Sequence, residues 1–246
     1  MSEHASGAPR LYVAQSLTKD DEFSLSRPQT HYLIDVLRLK PGDPVRAFNG
    51  EDGEWLCYLT AASKKAASLR CERPLAAVRP PPDIDYVFAP LKHSRLDYAV
   101  QKATELGARR LRPVWTQRTT VSRINAERMR ANVIEAAEQC NLVYIPEVCE
   151  AQPLSELLLK WEPVRTAIFC DERAAIASPL KALQGVGLPA AVIVGPEGGF
   201  TDEERANLLA LPSTRAISLG PRIMRADTAA VAALAIAQAV LGDWRA

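Results

Sequence analysis

The stretch Val192-Ile193-Val194-Gly195-Pro196-Glu197-Gly198-Gly199-Phe200 decides how this chain reads. Its first residues continue an apolar run, Ala190 to Val194, of the kind that forms a strand buried on both faces. That run enters a loop with three glycines, one proline and one carboxylate. Glycine-rich loops after strands commonly cradle phosphates, but this one carries an acid and no lysine. Neither G-x-x-x-x-G-K-[ST] nor G-x-G-x-x-G is present. Glu197 lies in the loop, and Asp202, Glu203 and Glu204 open the next segment. Together they offset the positive helix terminus that would hold a phosphate. The loop therefore suits a ligand without phosphate, one able to carry positive charge. S-adenosylmethionine has that character: a flat adenine, a ribose and a sulfonium cation. A tight turn with helix-capping acids accounts for the same residues without a ligand.

Around this loop the pattern alternates strand and helix. Asp85–Pro90, Arg110–Trp115, Arg165–Glu172, Ala190–Gly195 and Arg215–Gly220 read as strands. Ser94–Gly107, Asn125–Cys140, Thr201–Pro212 and Ala226–Trp244 read as helices. Gly107 stands at a C-cap, and Thr201 with Glu204 spells a capping box. Such alternation predicts an α/β domain, a parallel sheet with helices on both faces. Ligands in such sheets bind beyond the carboxyl ends of the strands, where Gly195–Phe200 and Gly220–Thr228 fall. The last helix is apolar almost all round and must be buried, a partner subunit being one way to do it.

The first part of the chain differs. After residues 1–9, which read as disordered, short strands and turns run from Arg10 to about Arg73, with one helical segment at Gln29–Arg38. Asn49-Gly50-Glu51-Asp52-Gly53 is a hairpin signal. This predicts a small β-barrel. Arg79-Pro80-Pro81-Pro82 is a stiff connector, so the expected domains are residues 1–76 and 83–246.

The 246 residues are 48% hydrophobic and 24% charged, as in soluble globular proteins. There is no membrane-length apolar run and no secretion signal, and the five cysteines are dispersed; the expectation is a cytoplasmic protein with reduced thiols. Three histidines and no C-x-x-C pair point to no metal site. A net charge of +1 conceals a basic block: Arg109, Arg110, Arg112, Arg118, Arg123, Arg128 and Arg130 against Glu127 alone. Lys92, His93 and Arg95 lie just upstream. That imbalance points to a phosphate-bearing partner; a solvated helix face is the plainer account.

Here the residues carry a resemblance. "GPEGGF" followed by "SLGPRIMRADTA" resembles the paired cofactor loops of the SPOUT methyltransferases. "HYLIDVLRLKPGD", "KHSRLDYAVQKATELGARRLRPVWTQRT" and "IEAAEQC…IPEV" narrow it to the ribosomal RNA small subunit methyltransferase E family, over about Arg10 to Trp244. The resemblance implies an N-terminal PUA-like β-barrel and a C-terminal SPOUT α/β domain with a deep trefoil knot. It implies a homodimer that methylates N3 of a uridine in 16S ribosomal RNA of the small subunit. It places S-adenosyl-L-methionine against Gly195, Glu197, Gly198, Leu219, Gly220, Ile223, Met224 and Arg225. Two positions depart from the family pattern: Ala226-Asp227 stands where threonine and glutamate are usual, and Asn141-Leu142 where an arginine is expected.

Methyl transfer to an imide nitrogen needs a held nucleophile and help with its proton. Arg225 and Asp227 are the candidate catalytic pair. Arg225 would stabilise negative charge on uracil or contact a phosphate, and Asp227 would orient Arg225 or take the proton. A helix-start salt bridge is the structural alternative. Arg10, Lys92, Arg95, Arg118 and Arg123 are candidate phosphate contacts, and Tyr12 a candidate stacking residue. Lys102 and Glu105 read as a surface pair. Two other functions fit the motifs: ribose 2′-hydroxyl methylation, and a non-catalytic RNA-binding assembly factor.

Overall fold

A computed structural model describes residues 7–63, 66–175 and 178–245. The chain forms two compact units, one of Met1–Pro80 with Ala137–Ile145, the other of Pro81–Ala136 with Pro146–Ala246.

The first unit is a five-stranded sheet in the order β1-β3-β4-β5-β2. Its strands are β1 (Arg10–Tyr12), β2 (Glu22–Ser24), β3 (Pro44–Phe48), β4 (Glu54–Ala62) and β5 (Ala67–Ala76). Among the described residues the ladder does not close into the expected barrel by strand pairing. Side chains draw its two ends together instead: Gln15 Nε2 donates to Ser24 O at 3.2 Å and Gln29 Nε2 to Tyr12 O at 2.8 Å. Helix α1 (Arg27–His31) continues as a π-turn over Tyr32–Val36. Leu11, Val13, Leu33, Val45, Leu59 and Leu69 fill the interior. Asn49 builds the predicted hairpin, its Oδ1 accepting from the Glu51 and Asp52 amides.

Arg10 knits this unit together. Its guanidinium donates to Glu54 Oε1 at 2.6 Å, to Ala137 O and Glu138 O at 2.6 and 2.9 Å, and to Leu142 O at 3.0 Å. It also lies 4.2 Å from the centre of the Phe48 ring. Two of these carbonyls, Ala137 O and Glu138 O, lie in the last turn of the helix Ala126–Gln139, where backbone acceptors outnumber backbone donors, and Ala137 O also accepts from the Leu142 amide at 3.0 Å. Asn141, found where an arginine was expected, has φ +55 and ends that helix.

The second unit is a parallel sheet in the order β12-β10-β11-β6-β7-β8, with β9 also pairing β7. The strands are β6 (Ile84–Phe88), β7 (Arg110–Trp115), β8 (Glu147–Val148), β9 (Gln152–Pro153), β10 (Thr166–Cys170), β11 (Ala190–Val194) and β12 (Thr214–Ile217). The helices are α2 (Ser94–Glu105), α3 (Ala126–Gln139), α4 (Leu154–Leu159), α5 (Pro179–Ala182), α6 (Asp202–Ala210) and α7 (Ala226–Val240). Every residue of β6 and β11 is buried, as strands covered on both faces require. Val87, Phe169 and Ile193 join Leu154, Leu157 and Leu208 in one core cluster, while α7 packs on α2 and β11. The apolar last helix hides one polar side chain. Gln238, fully buried, donates to Leu106 O at 2.7 Å and Gly107 O at 3.2 Å, tying α7 to the end of α2.

Candidate cofactor site at the strand ends

The carboxyl ends of β10, β11 and β12 surround a pocket of about 970 Å³, counting the space open to solvent. Residues 169–173, 194–197 with 199–200, and 217–224 line it, together with Arg205, Ala226 and Ala229. Of the expected cofactor contacts, Gly195, Glu197, Leu219, Gly220, Ile223 and Met224 line this space. Gly198 and Arg225 stand just outside it on the same loops.

The two glycine positions work differently from each other. A Cβ on Gly195 would stand 2.7 Å from the Phe200 ring, which packs edge-on against Phe169 with centroids 5.4 Å apart. The space gained by lacking a side chain is filled by Phe200, whereas the sequence reading assigned it to a ligand. Gly220 has φ +105 with nothing within 4 Å of a Cβ there, so backbone conformation makes its demand.

The acids of the first loop and the following helix are engaged. Glu197 Oε1 meets Arg95 Nη1 at 3.1 Å. Its charge is therefore countered by an arginine and is not free to attract a cation, as the loop sequence alone suggests. Thr201 and Glu204 form the predicted capping box, and Glu204 Oε1 also accepts from the Gln117 amide at 2.7 Å. Asp202 pairs with Arg173 at 2.6 Å, and that hydrogen bond holds its carboxyl below the ordinary value. Asp171 is buried and receives Arg205 at 2.8 Å. Burial pushes the Cys170 thiol up to about 12, so it stays protonated at the pocket floor. The lining carries three acids, Asp171, Glu172 and Glu197, and three arginines, Arg173, Arg205 and Arg222. A balanced lining fits a zwitterion better than a polyanion.

Asp227, in the first turn of α7, lies 3.9 Å from Arg95 Nε. The sequence reading gave Asp227 the neighbouring Arg225 as partner; the structure gives it Arg95. Arg225 is exposed, serves as the N-cap residue of α7 and makes no side-chain hydrogen bond among the described residues.

The basic block divides. Arg109, Arg110 and Arg112 turn to the opposite end of the sheet. There Asp85, wholly buried, accepts from Arg110 at 2.8 and 2.9 Å and from Arg112 at 3.2 Å. Arg165, 2% exposed, stands 3.6 Å from Asp85 and donates to Asp83 at 2.9 Å and Glu162 at 3.0 Å. Burial raises the Asp83 carboxyl, but the hydrogen bond from Arg165 and the charges of Arg165, Arg109 and Arg110 outweigh it and leave the group below its ordinary value. Arg128 is held by Asp97 at 2.6 Å. Of the candidate phosphate contacts, Lys92 and Arg123 are exposed and make no side-chain bond among the described residues. Arg118 is exposed and donates to Gly198 O at 2.8 Å. Arg10 is not available, since four acceptors and a ring already surround it. Tyr12 is half-buried edge-on to Phe48, 5.9 Å between centroids. Lys102 and Glu105 form the expected pair at 2.7 Å. No metal-binding cluster of His, Cys, Asp or Glu occurs among the described residues, and no helix among them is long and apolar enough to cross a membrane.

Comparison with known proteins agrees with this layout. The RNA methyltransferase domain model matches residues 79–238, and the RNA methyltransferase PUA domain model matches residues 25–71. Fold and pocket thus define an RNA methyltransferase with an appended PUA domain. The chain is 32% identical over 229 residues to ribosomal RNA small subunit methyltransferase E of Rickettsia conorii, covering 92% of this chain and 93% of that protein. It is 34% identical over 247 residues to the protein of that name from Synechocystis sp., covering 95% and 78%. The crystal structure of a ribosomal RNA small subunit methyltransferase E from Neisseria gonorrhoeae bound to S-adenosyl methionine superposes with a TM-score of 0.87 at 26% identity, over 96% of this chain and 99% of that one. This chain belongs to the ribosomal RNA small subunit methyltransferase E family.

Proposed function

We propose that the chain methylates N3 of a uridine in 16S ribosomal RNA of the small subunit, using S-adenosyl-L-methionine. The carrying observation is the pocket at the ends of β10, β11 and β12: glycine-built, charge-balanced and without a phosphate cradle. Its residues fit that cofactor. Gly195, Glu197 and Gly198 on one loop, and Leu219, Gly220, Ile223, Met224 and Arg225 on the other, would hold it. Bound there, the cofactor supplies a methyl group made electrophilic by its sulfonium.

The chain contributes position and charge. Phe169, Phe200 and Ile217 give the pocket an apolar wall. Arg225, which makes no side-chain hydrogen bond among the described residues, stabilises negative charge as it develops on the uracil oxygen. Asp227 receives the imide proton, directly or through water. Lys92, Arg118 and Arg123 form the phosphate footprint; Arg10 is taken up by its own acceptors, and Arg95 by Glu197 and Asp227. Half-buried Val231, Ala232, Ala235 and Ile236 leave α7 a second apolar side, which a second copy covers in a homodimer. The trefoil knot and a cytoplasmic location belong to this reading.

The test is a labelled-methyl transfer assay with unmethylated small subunits, the RNA digested to nucleosides and analysed by mass spectrometry. The expected product is 3-methyluridine. A labelled 2′-O-methylnucleoside in its place moves the reaction to ribose. No transfer and no cofactor binding removes the enzyme reading.

A further inference from the structure

The first loop keeps a carboxylate, Glu197, that an arginine then covers, and methyl transfer itself gives that pair no role. We propose that Arg95 is a positioning residue: it fixes the loop after β11 to the start of α7 through Glu197 and Asp227, and so sets the spacing of the two loops that hold the cofactor. This rests on the methyltransferase reading.

Arg95 lies in the first turn of α2, on the connection that leaves β6. Nη1 is 3.1 Å from Glu197, and Nε is 3.9 Å from Asp227 on its other side. Glu197 and Asp227 lie 30 residues apart in the chain, on separate strand-to-helix connections. One planar guanidinium addresses both, which a compact ammonium on a flexible stem does not do. Arg95 touches no reacting atom in this arrangement; it acts through the two acids.

The approach of Arg95 is itself built at a cost. His93, two residues before it, has φ +44 and ψ −119, a conformation glycine adopts freely and a histidine does not. Strain of that kind persists where the surroundings demand a particular path. The reward for folding is small, because the side chains of Arg95 and Glu197 are 33% and 37% exposed and water screens the pair. A contact that adds little to stability, yet is reached through a strained turn at the pocket, is better explained by geometry at the site.

The alternative role for Arg95 is contact with an RNA phosphate, and the two make opposite predictions for lysine. Arg95→Lys keeps the positive charge and loses the fork. As a positioning residue, Arg95→Lys and Arg95→Ala both lower kcat, on the order of 10- to 100-fold, with weaker binding of S-adenosylmethionine by calorimetry. The salt dependence of RNA binding stays as in the wild type, and the melting temperature moves by less than about 3 °C, the change expected for roughly 1 kcal/mol. Glu197→Gln combined with Arg95→Ala costs less than the product of the single effects, since both break one contact. As a phosphate contact, Arg95→Lys is close to wild type, and Arg95→Ala raises the RNA KM and flattens the salt slope by about 0.7 to 0.9. That second pattern overturns the inference and leaves the enzyme reading intact. A wild-type protein that binds no S-adenosylmethionine overturns both.

Discussion

The two ends of the parallel sheet face opposite problems. At the amino ends of β6, β7 and β10, charge is enclosed: Asp85 and Arg165 are buried, and each is answered by several partners. At the carboxyl ends of β10, β11 and β12, most charges are part-exposed and have one or two partners, with Asp171 the buried exception, and glycines leave the backbone open. The enclosed network is intolerant of deletion at its centre, because removing Asp85 leaves the buried Arg165 one acceptor short and takes the shared acceptor from Arg110 and Arg112. Singly paired, solvated groups can be removed with little effect on folding. The difference assigns stability to one end and chemistry to the other, although both are rich in arginine and acid.

Deleting the centre of the closed end should have the largest effect. Asp85→Ala leaves Arg165, Arg110 and Arg112 without their shared acceptor and is expected to cost about 3–5 kcal/mol in denaturant unfolding. Methyl transfer per folded molecule should survive; its loss would merge the two ends into one functional unit. At the open end, Gly195→Val drives Phe200 off Phe169. Transfer should fall on the order of 100-fold, equivalent to about 2.7 kcal/mol, with a smaller change in unfolding. Gly198 is a milder test, because a side chain there meets only the flexible stem of Arg118 at 3.4 Å.

Acid separates the ends more gently. The folded carboxyl of Asp83 lies below its ordinary value, so what it contributes is complete above about pH 4 and is lost as pH falls through the folded value. Melting temperatures taken from pH 5 downward should therefore fall less steeply for Asp83→Asn than for wild type; parallel curves would show that the group is not linked to folding. The smallest effect expected is a gain. His93→Gly relieves the positive φ and should stabilise the fold by about 1 kcal/mol. The gain should come with slower transfer if the turn aims Arg95.

Much of this division was legible from local pattern. The capping box at Thr201 and Glu204, the hairpin around Asn49, β7 and the buried strand before Gly195 all depend on neighbours within a few residues, and the structure has them. Strands β8 and β9, two residues each, carry too little periodicity to be read. The basic block divides in a way composition does not show. Composition gathers Arg109, Arg110 and Arg112 with Arg118 and Arg123, but the first group stands at the start of β7 and the second follows its end, so they emerge at opposite ends of the sheet. Asp85 sits 25 residues before Arg110, and parallel pairing of β6 with β7 makes them neighbours. Glu197 and Arg95 are 102 residues apart, a pairing that no window along the chain can reveal. The glycine loop is legible as a candidate site, and it does line the pocket, while the job of Gly195, making room for Phe200, depends on a ring whose direction only the fold sets.

The reach of Arg10 bears on how the protein comes into being. Its acceptors at Ala137, Glu138 and Leu142 lie 127 to 132 residues downstream. A nascent chain that has delivered all the strands of the first unit still lacks the peptide that closes it, and must make 62 more residues, from Pro80 to Leu142, before Arg10 finds its partners. At roughly 5–20 residues per second that wait is about 3–12 s. Through it, Arg10 has Glu54 and Phe48 to hand but its Nη1 and Nη2 donors lack these carbonyls. The proline connector is thus a boundary in sequence without being a place to cut: a fragment ending there would stay in the condition of the half-made chain.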